Sequence, residues 1–231
     1  MKLSILYNDI FYGSLLNEGV FDKHIFKCIF LAGGSGVGKS FISNNALSGY
    51  GLKVVDSDKV FEILMNKQNL SLKMPDSEKT ERDAVRDTAK KITVKFRDTY
   101  INNRLGIIID GTGKDADELI GLSEKLKEIG YDTFMVLVTA EEDIAIERNA
   151  KRPRSVPVDL LKKIRKQVLG NISRYSNYFG NNFRLLDTSD ESKTSDIKTN
   201  LSKIIRNFLN KGITNPSAKV WIDSELEKRK R

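Results

Sequence analysis

Five short and almost wholly apolar runs punctuate this chain, at residues 27–32, 52–56, 106–110, 132–138 and 183–187. Runs of this length with no apolar–polar alternation fit strands covered on both faces, the condition of a parallel sheet. We label them β1 to β5. Between them the period changes. Phe61, Leu64 and Met65 fall at helical spacing, and the charged stretch 77–103 gathers Val85, Ala89, Ile92, Phe96, Thr99 and Tyr100 on one face. Helices are likewise expected over 39–47, 115–129 (ended by Gly130), 141–150 and 158–178, with two amphipathic helices around GITNP near the end. Strands alternating with helices predict a three-layer α/β sandwich around a five-stranded parallel sheet, with ligands bound beyond the carboxyl ends of the strands.

Length and composition narrow this picture. A chain of 231 residues with 39% hydrophobic content suits one domain with appendages. The expected division is a leader over 1–26, loosely helical and packed on the core, a domain over 27–190 and a helical C-terminal tail over 191–231. Cys28 is the only cysteine and His24 the only histidine, so no disulfide framework, Cys- or His-based zinc site or serine triad can be assembled. No window approaches the ~20 apolar residues of a membrane span. The reading is a cytoplasmic protein with no membrane partner. The sequence carries no signal of oligomeric state.

The chemistry enters at GGSGVGKS, residues 33–40, which matches GxxxxGK[ST] between an apolar strand and a helix. Its glycines let the backbone curl so that successive N–H groups face phosphates, aided by the positive end of the helix. Gly33, Gly34, Ser35, Gly36, Val37, Gly38, Lys39 and Ser40 are therefore the expected ATP cradle. Lys39 serves the β/γ oxygens and Ser40 offers its hydroxyl to Mg²⁺. A glycine-rich turn that binds nothing is the bland alternative, which the full match in the right setting disfavours. The fold becomes a P-loop NTPase-type sandwich.

Two acidic turns follow. DSDK (56–59) ends β2, and Asp58 is the expected base for an acceptor hydroxyl, with Asp56 as strand-end residue; the alternative is that Asp58 only caps the next helix. DGTGK (110–114) ends β3, where Asp110 is placed to hold Mg²⁺ or to touch the acceptor and Gly111, Thr112 and Lys114 to contact it. A strand-ending turn capped at Asp115 is the alternative there.

The net charge of +8 is unevenly spread: residues 148–166 hold eight basic residues against one acid. ERNAKRPRSVP (147–157) lies where small kinases carry a mobile lid, expected here over about 148–157. Arg148 and Arg154 are assigned to transition-state charge and Arg152 to the bound nucleotide, against a merely solvated basic face. The charge admits nucleic acid as a partner, yet no interleaved aromatic platform accompanies it, so a small-molecule acceptor is favoured. ATP is preferred to GTP because no NKxD-type sequence is present.

These motifs, in this order over residues 27–187, resemble the zeta-toxin-like branch of small P-loop kinases, particularly its predicted kinases from tailed-phage genomes. The resemblance implies phosphoryl transfer. It matches Asp58 to the base, Asp110, Gly111 and Thr112 to the acceptor turn, and Arg148 and Arg154 to the phosphate-binding arginines. Lys114 stands where the toxins commonly have arginine, a departure that bears on the acceptor. A small nucleotide, nucleoside or nucleotide sugar is the expected acceptor, with a polynucleotide or modified-base DNA kinase as the alternative and a non-catalytic nucleotide switch as the second.

Overall fold

A computed structural model describes residues 19–230; of the leader expected over 1–26, residues 1–18 lie outside the described residues. The five strands are β1 (Lys27–Ala32), β2 (Lys53–Asp56), β3 (Ile107–Gly111), β4 (Asp132–Thr139) and β5 (Phe183–Asp187). All pair in parallel, in the order β2-β3-β1-β4-β5. Each lies within a residue or two of its apolar run.

The absence of alternation has the predicted cause. On β1, Cys28, Phe30 and Ala32 enter one apolar cluster while Ile29 and Leu31 enter the other, so both faces of the sheet are covered. The first cluster packs against α2 (Ser57–Lys67), α3 (Lys79–Asn102), α4 (Ala116–Glu128), α7 (Ile172–Phe179) and α9 (Pro216–Lys228). The second packs against α1 (Lys39–Ala46), α5 (Glu142–Ala150), α6 (Val158–Gly170) and α8 (Thr194–Asn210). This is the three-layer P-loop NTPase fold. The chain end supplies part of both layers: α8 buries Leu201, Ile205, Phe208 and Leu209, and Trp221 of α9 meets Phe26 edge-on at 5.6 Å.

One expected element is corrected. The single helix over 158–178 is two, broken where Gly170 and Asn171 meet. The Asn171 amide donates to Lys114 O at 2.9 Å and to Gly113 O at 3.4 Å, so the break serves the turn after β3.

From β1 the chain runs to the edge strand β2, returns to β3 beside β1, and then crosses to β4 on the other side of β1. That reversal opens a crevice beyond the carboxyl end of β1, where residues 33–40 lie.

Candidate active site

The phosphate loop is built by backbone conformations that exclude side chains. Gly36 has φ 78°, and a Cβ there would sit 2.0 Å from Ala145 O, because the loop packs directly on α5. Gly38 caps α1 without any side-chain hydrogen bond, which leaves the amides of the first helical turn for an anion. Lys39 Nζ donates to Gly33 O at 2.8 Å and Gly34 O at 3.3 Å, curling over the loop it serves. It also stands 4.0 Å from Asp110 Oδ1. Gly33 N donates to Thr112 O at 3.1 Å, so the loop and the DGTGK turn are joined through the backbone.

Strand register brings the acids together, since Asp56 and Asp110 are paired positions of β2 and β3. Their duties differ. Asp56 Oδ1 accepts from Asp58 N at 2.8 Å and Lys59 N at 3.1 Å, so Asp56, not Asp58, caps α2. Asp58, one position into the helix, is left to pair with Arg154 Nη2 at 2.9 Å. The Arg154 side chain is only 7% exposed, and its Nε lies 3.4 Å from Glu62 Oε1, one turn beyond Asp58, without a well-directed hydrogen bond. Asp115 caps α4 by accepting from Glu118 N at 3.0 Å.

Burial pushes the Asp110 carboxyl up to about 7; Lys39 opposes this, the neighbouring Asp56 and Asp58 add to it, and Arg152 opposes it more weakly. A carboxylate so poorly compensated is one that a cation would stabilise. With Ser40 close by on the loop, it offers the hard oxygen donors that suit Mg²⁺ carried by nucleotide phosphates.

The three arginines diverge. Arg148 Nη1 and Nη2 donate to Thr188 Oγ1 at 3.1 Å and Thr188 O at 3.0 Å, and Nη2 lies 3.3 Å from Glu191 Oε1, toward the loop after β5. Arg152 Nη1 donates to Ser35 Oγ at 2.8 Å, and Arg154 turns to the acids of α2. The segment is therefore anchored at three places rather than extended into solvent.

Several residues in this arrangement carried no sequence signal. Asn149, 3% exposed, accepts from Ser35 Oγ at 2.8 Å and Val156 N at 3.0 Å and donates to Val156 O at 2.8 Å. It fastens the basic segment to the phosphate loop. Thr188 Oγ1 donates to Val37 O at 2.9 Å, and Tyr175 OH to Gly113 O at 2.8 Å. Each is a lone polar residue with a partner 62 to 151 residues away in the chain, and only their place beside a motif could have raised them. His24 and Cys28 are buried toward the amino ends of the strands, on the side of the sheet opposite the phosphate loop.

Comparison with known proteins agrees with the fold. The family model described as an AAA domain matches residues 28–172. No curated protein matches the chain in sequence. Among solved structures, a protein of Chloroflexus aurantiacus described as a candidate kinase is similar at 17% identity and a TM-score of 0.53, over 77% of this chain and 97% of that one. The PezAT chromosomal toxin-antitoxin system of Streptococcus pneumoniae is similar at 15% identity and a TM-score of 0.53, over 82% of this chain and 87% of that one. At such identities the likeness speaks for the fold alone.

Proposed function

From the premise that this chain belongs to the AAA domain family and has the P-loop kinase architecture, we propose that it is a Mg²⁺-dependent kinase moving the γ-phosphoryl group of ATP to a small acceptor. The acceptor class is that of nucleosides, nucleotides or nucleotide sugars. One observation carries the reading. The phosphate-loop lysine, the β3 carboxylate and an arginine-paired carboxylate after β2 meet at one strand edge. The likeness of the motifs to zeta-toxin-like kinases supports the same chemistry.

The loop amides and Lys39 would hold the β- and γ-phosphates of ATP, Lys39 exchanging the carbonyls of Gly33 and Gly34 for phosphate oxygens. Ser40 and Asp110 would hold Mg²⁺, which would neutralise charge at the transferred group and the leaving oxygen. Arg152 lies against the loop through Ser35 and would reach the same phosphates, while Arg148, expected with Arg154 to meet transition-state charge, is held by Thr188. Asp58 is favoured over Asp56 as base because the Asp56 carboxylate is already occupied as a cap. As Arg154 turns from Asp58 toward the γ-oxygens, the freed carboxylate takes the proton of the acceptor hydroxyl. The hydroxyl oxygen bonds to the γ-phosphorus as the bond to the ADP oxygen breaks. Gly111, Thr112 and Lys114 contact the acceptor from the other side.

The test is incubation with γ-labelled ATP, Mg²⁺ and an extract of small metabolites. Label should pass to an acceptor with the native chain and not with Lys39→Ala. ATP binding with no transfer to any compound would count against the kinase and for a nucleotide switch.

A further inference from the structure

Beside the phosphate loop, between the end of β3 and helices α3 and α4, lies a cavity of about 250 Å³. Asp110 and Lys114 stand at its catalytic end. Its body is apolar: Phe30 and Ile109 come from the strands, and Leu119 and Leu122 from α4. Val94 of α3 lines it too and is 43% exposed, an apolar side chain among the charged Lys90, Lys91, Arg97 and Asp98 of the helix's outer face. Thr93, from the same helix, is hydrogen-bonded to Ala89 O at 2.8 Å.

The charges around the cavity do not suit an anion. Five charged side chains line it, three acids and two bases. Arg97 is engaged by its neighbour, with Nε and Nη2 at 3.2 and 3.1 Å from Asp98 Oδ1. Asp115 is committed as the cap of α4, and Asp110 faces Lys39. Lys114 and Glu118 remain, one of each sign. The three arginines that could serve a phosphate line no part of the cavity. The groove leading away between α3 and α4 is also acid-rich, with Asp98, Asp117, Glu118 and Glu128 against Arg97 and Lys125. A polyanionic strand leaving the cavity would run along that surface, the reverse of the basic track such a ligand requires.

Size and charge together point to one kind of acceptor. Pockets for drug-sized ligands run from about 300 to 1,000 Å³, so a cavity below that range takes a single ring system and its hydroxyls. A nucleotide sugar carries two further phosphates and a second ring. Resting on the kinase reading above, the geometry points to an uncharged, ring-bearing alcohol of nucleoside size as the acceptor. Its apolar face lies on Phe30, Ile109 and Val94, and its hydroxyl is directed to the Asp110 end. This narrows the candidate class to its neutral members and excludes oligonucleotide ends.

The experiment divides acceptors by charge. Native protein is incubated with γ-labelled ATP and either a neutral pool (nucleosides, free sugars and other ring alcohols) or an anionic pool (nucleoside monophosphates, nucleotide sugars and oligonucleotides). Label is expected in the neutral pool. It should fall at least tenfold in Val94→Trp, which fills the cavity from its exposed side, while ATP affinity measured by calorimetry stays within about threefold, as for a substitution that leaves the phosphate loop untouched. Because Val94 is 43% exposed, the Trp variant should also keep a Tm within a few degrees of native, which separates occlusion from misfolding. Transfer chiefly into the anionic pool would overturn the inference and leave the kinase reading standing. Label in neither pool would also overturn it, and the calorimetry then decides whether ATP binding goes with it. Equal transfer by the Trp and native proteins would mean that the acceptor binds elsewhere.

Discussion

Replacing Asn149 by alanine separates the anchoring of the basic segment from its charge. The side chain makes three hydrogen bonds, one to Ser35 Oγ and two to the backbone of Val156, from a position almost wholly out of solvent. Each such bond contributes about 0.5–1.5 kcal/mol net. Val156 is only half-buried, so water can reach its freed groups, and the loss should be about 2–3 kcal/mol. In a chain of this size each kcal/mol lowers Tm by roughly 2–4 °C, giving a fall of about 5–10 °C by calorimetry. The kinetic consequence is distinct. Arg152 is held over the phosphate loop by Ser35 Oγ, the same hydroxyl that Asn149 holds, so the variant should lose kcat by about tenfold or more, since small misplacements of transition-state groups are costly. KM for ATP should change far less. Amide exchange over residues 150–157 should accelerate. Asn149→Asp sets a carboxylate oxygen against Val156 O in a site only 3% exposed, so its fall in Tm should be at least as large. An alanine variant with the expected drop in Tm but unchanged kcat and unchanged exchange at 150–157, assayed well below both transitions, would refute the anchoring argument and leave Asn149 a purely structural residue.

Lys39→Ala should abolish transfer and strongly weaken Mg²⁺–ATP binding in calorimetry while Tm stays within a few degrees, because its hydrogen bonds are to its own loop and its ion pair with Asp110 is a long 4.0 Å; unchanged ATP affinity would remove the foundation of the site. Asp58→Asn should keep ATP binding and lower kcat by about 10²-fold or more, the range of a positioned base; near-normal turnover with a lowered Tm would make Asp58 only the partner of Arg154. Asp110, raised from 3.8 to about 7 by burial, gives a pH dependence of stability. Between these values the folded chain keeps a proton that the unfolded chain releases, so the contribution is full below about 4 and is lost as pH rises through about 7. Asp110→Asn, which mimics the protonated acid, should flatten that decline in denaturant titrations between pH 5 and pH 8; an unaltered slope would show that another group is responsible.

What the sequence revealed and what it hid divide along a physical line. The strands were legible because burial on both faces suppresses alternation, and the phosphate loop because its glycines answer a local backbone demand, as at Gly36 against Ala145 O. Asp115 was legible as a cap for the same local reason. The cap of α2, offered only as an alternative role for Asp58, falls to Asp56 instead, since both positions offer the right side chain and only the backbone angles at Asp56, in the extended region, decide. The break at Asn171 was missed because an apolar period carries through it; what ends α6 is a pair of carbonyls 57 and 58 residues away in the chain. The arginines show the same limit more sharply. Their abundance was visible, yet nothing in ERNAKRPRSVP distinguishes the residue that meets Thr188 from the one on Ser35 or the one buried against Asp58. Each destination is set by a partner on another element. It follows that a single charge count over the segment describes no one function: Arg154 must give up a 2.9 Å contact with Asp58 to reach a phosphate, whereas Arg152 already lies on the loop. Nucleotide binding that draws Arg154 away would thereby free Asp58, so that the candidate base becomes available only when there is a phosphoryl group to transfer.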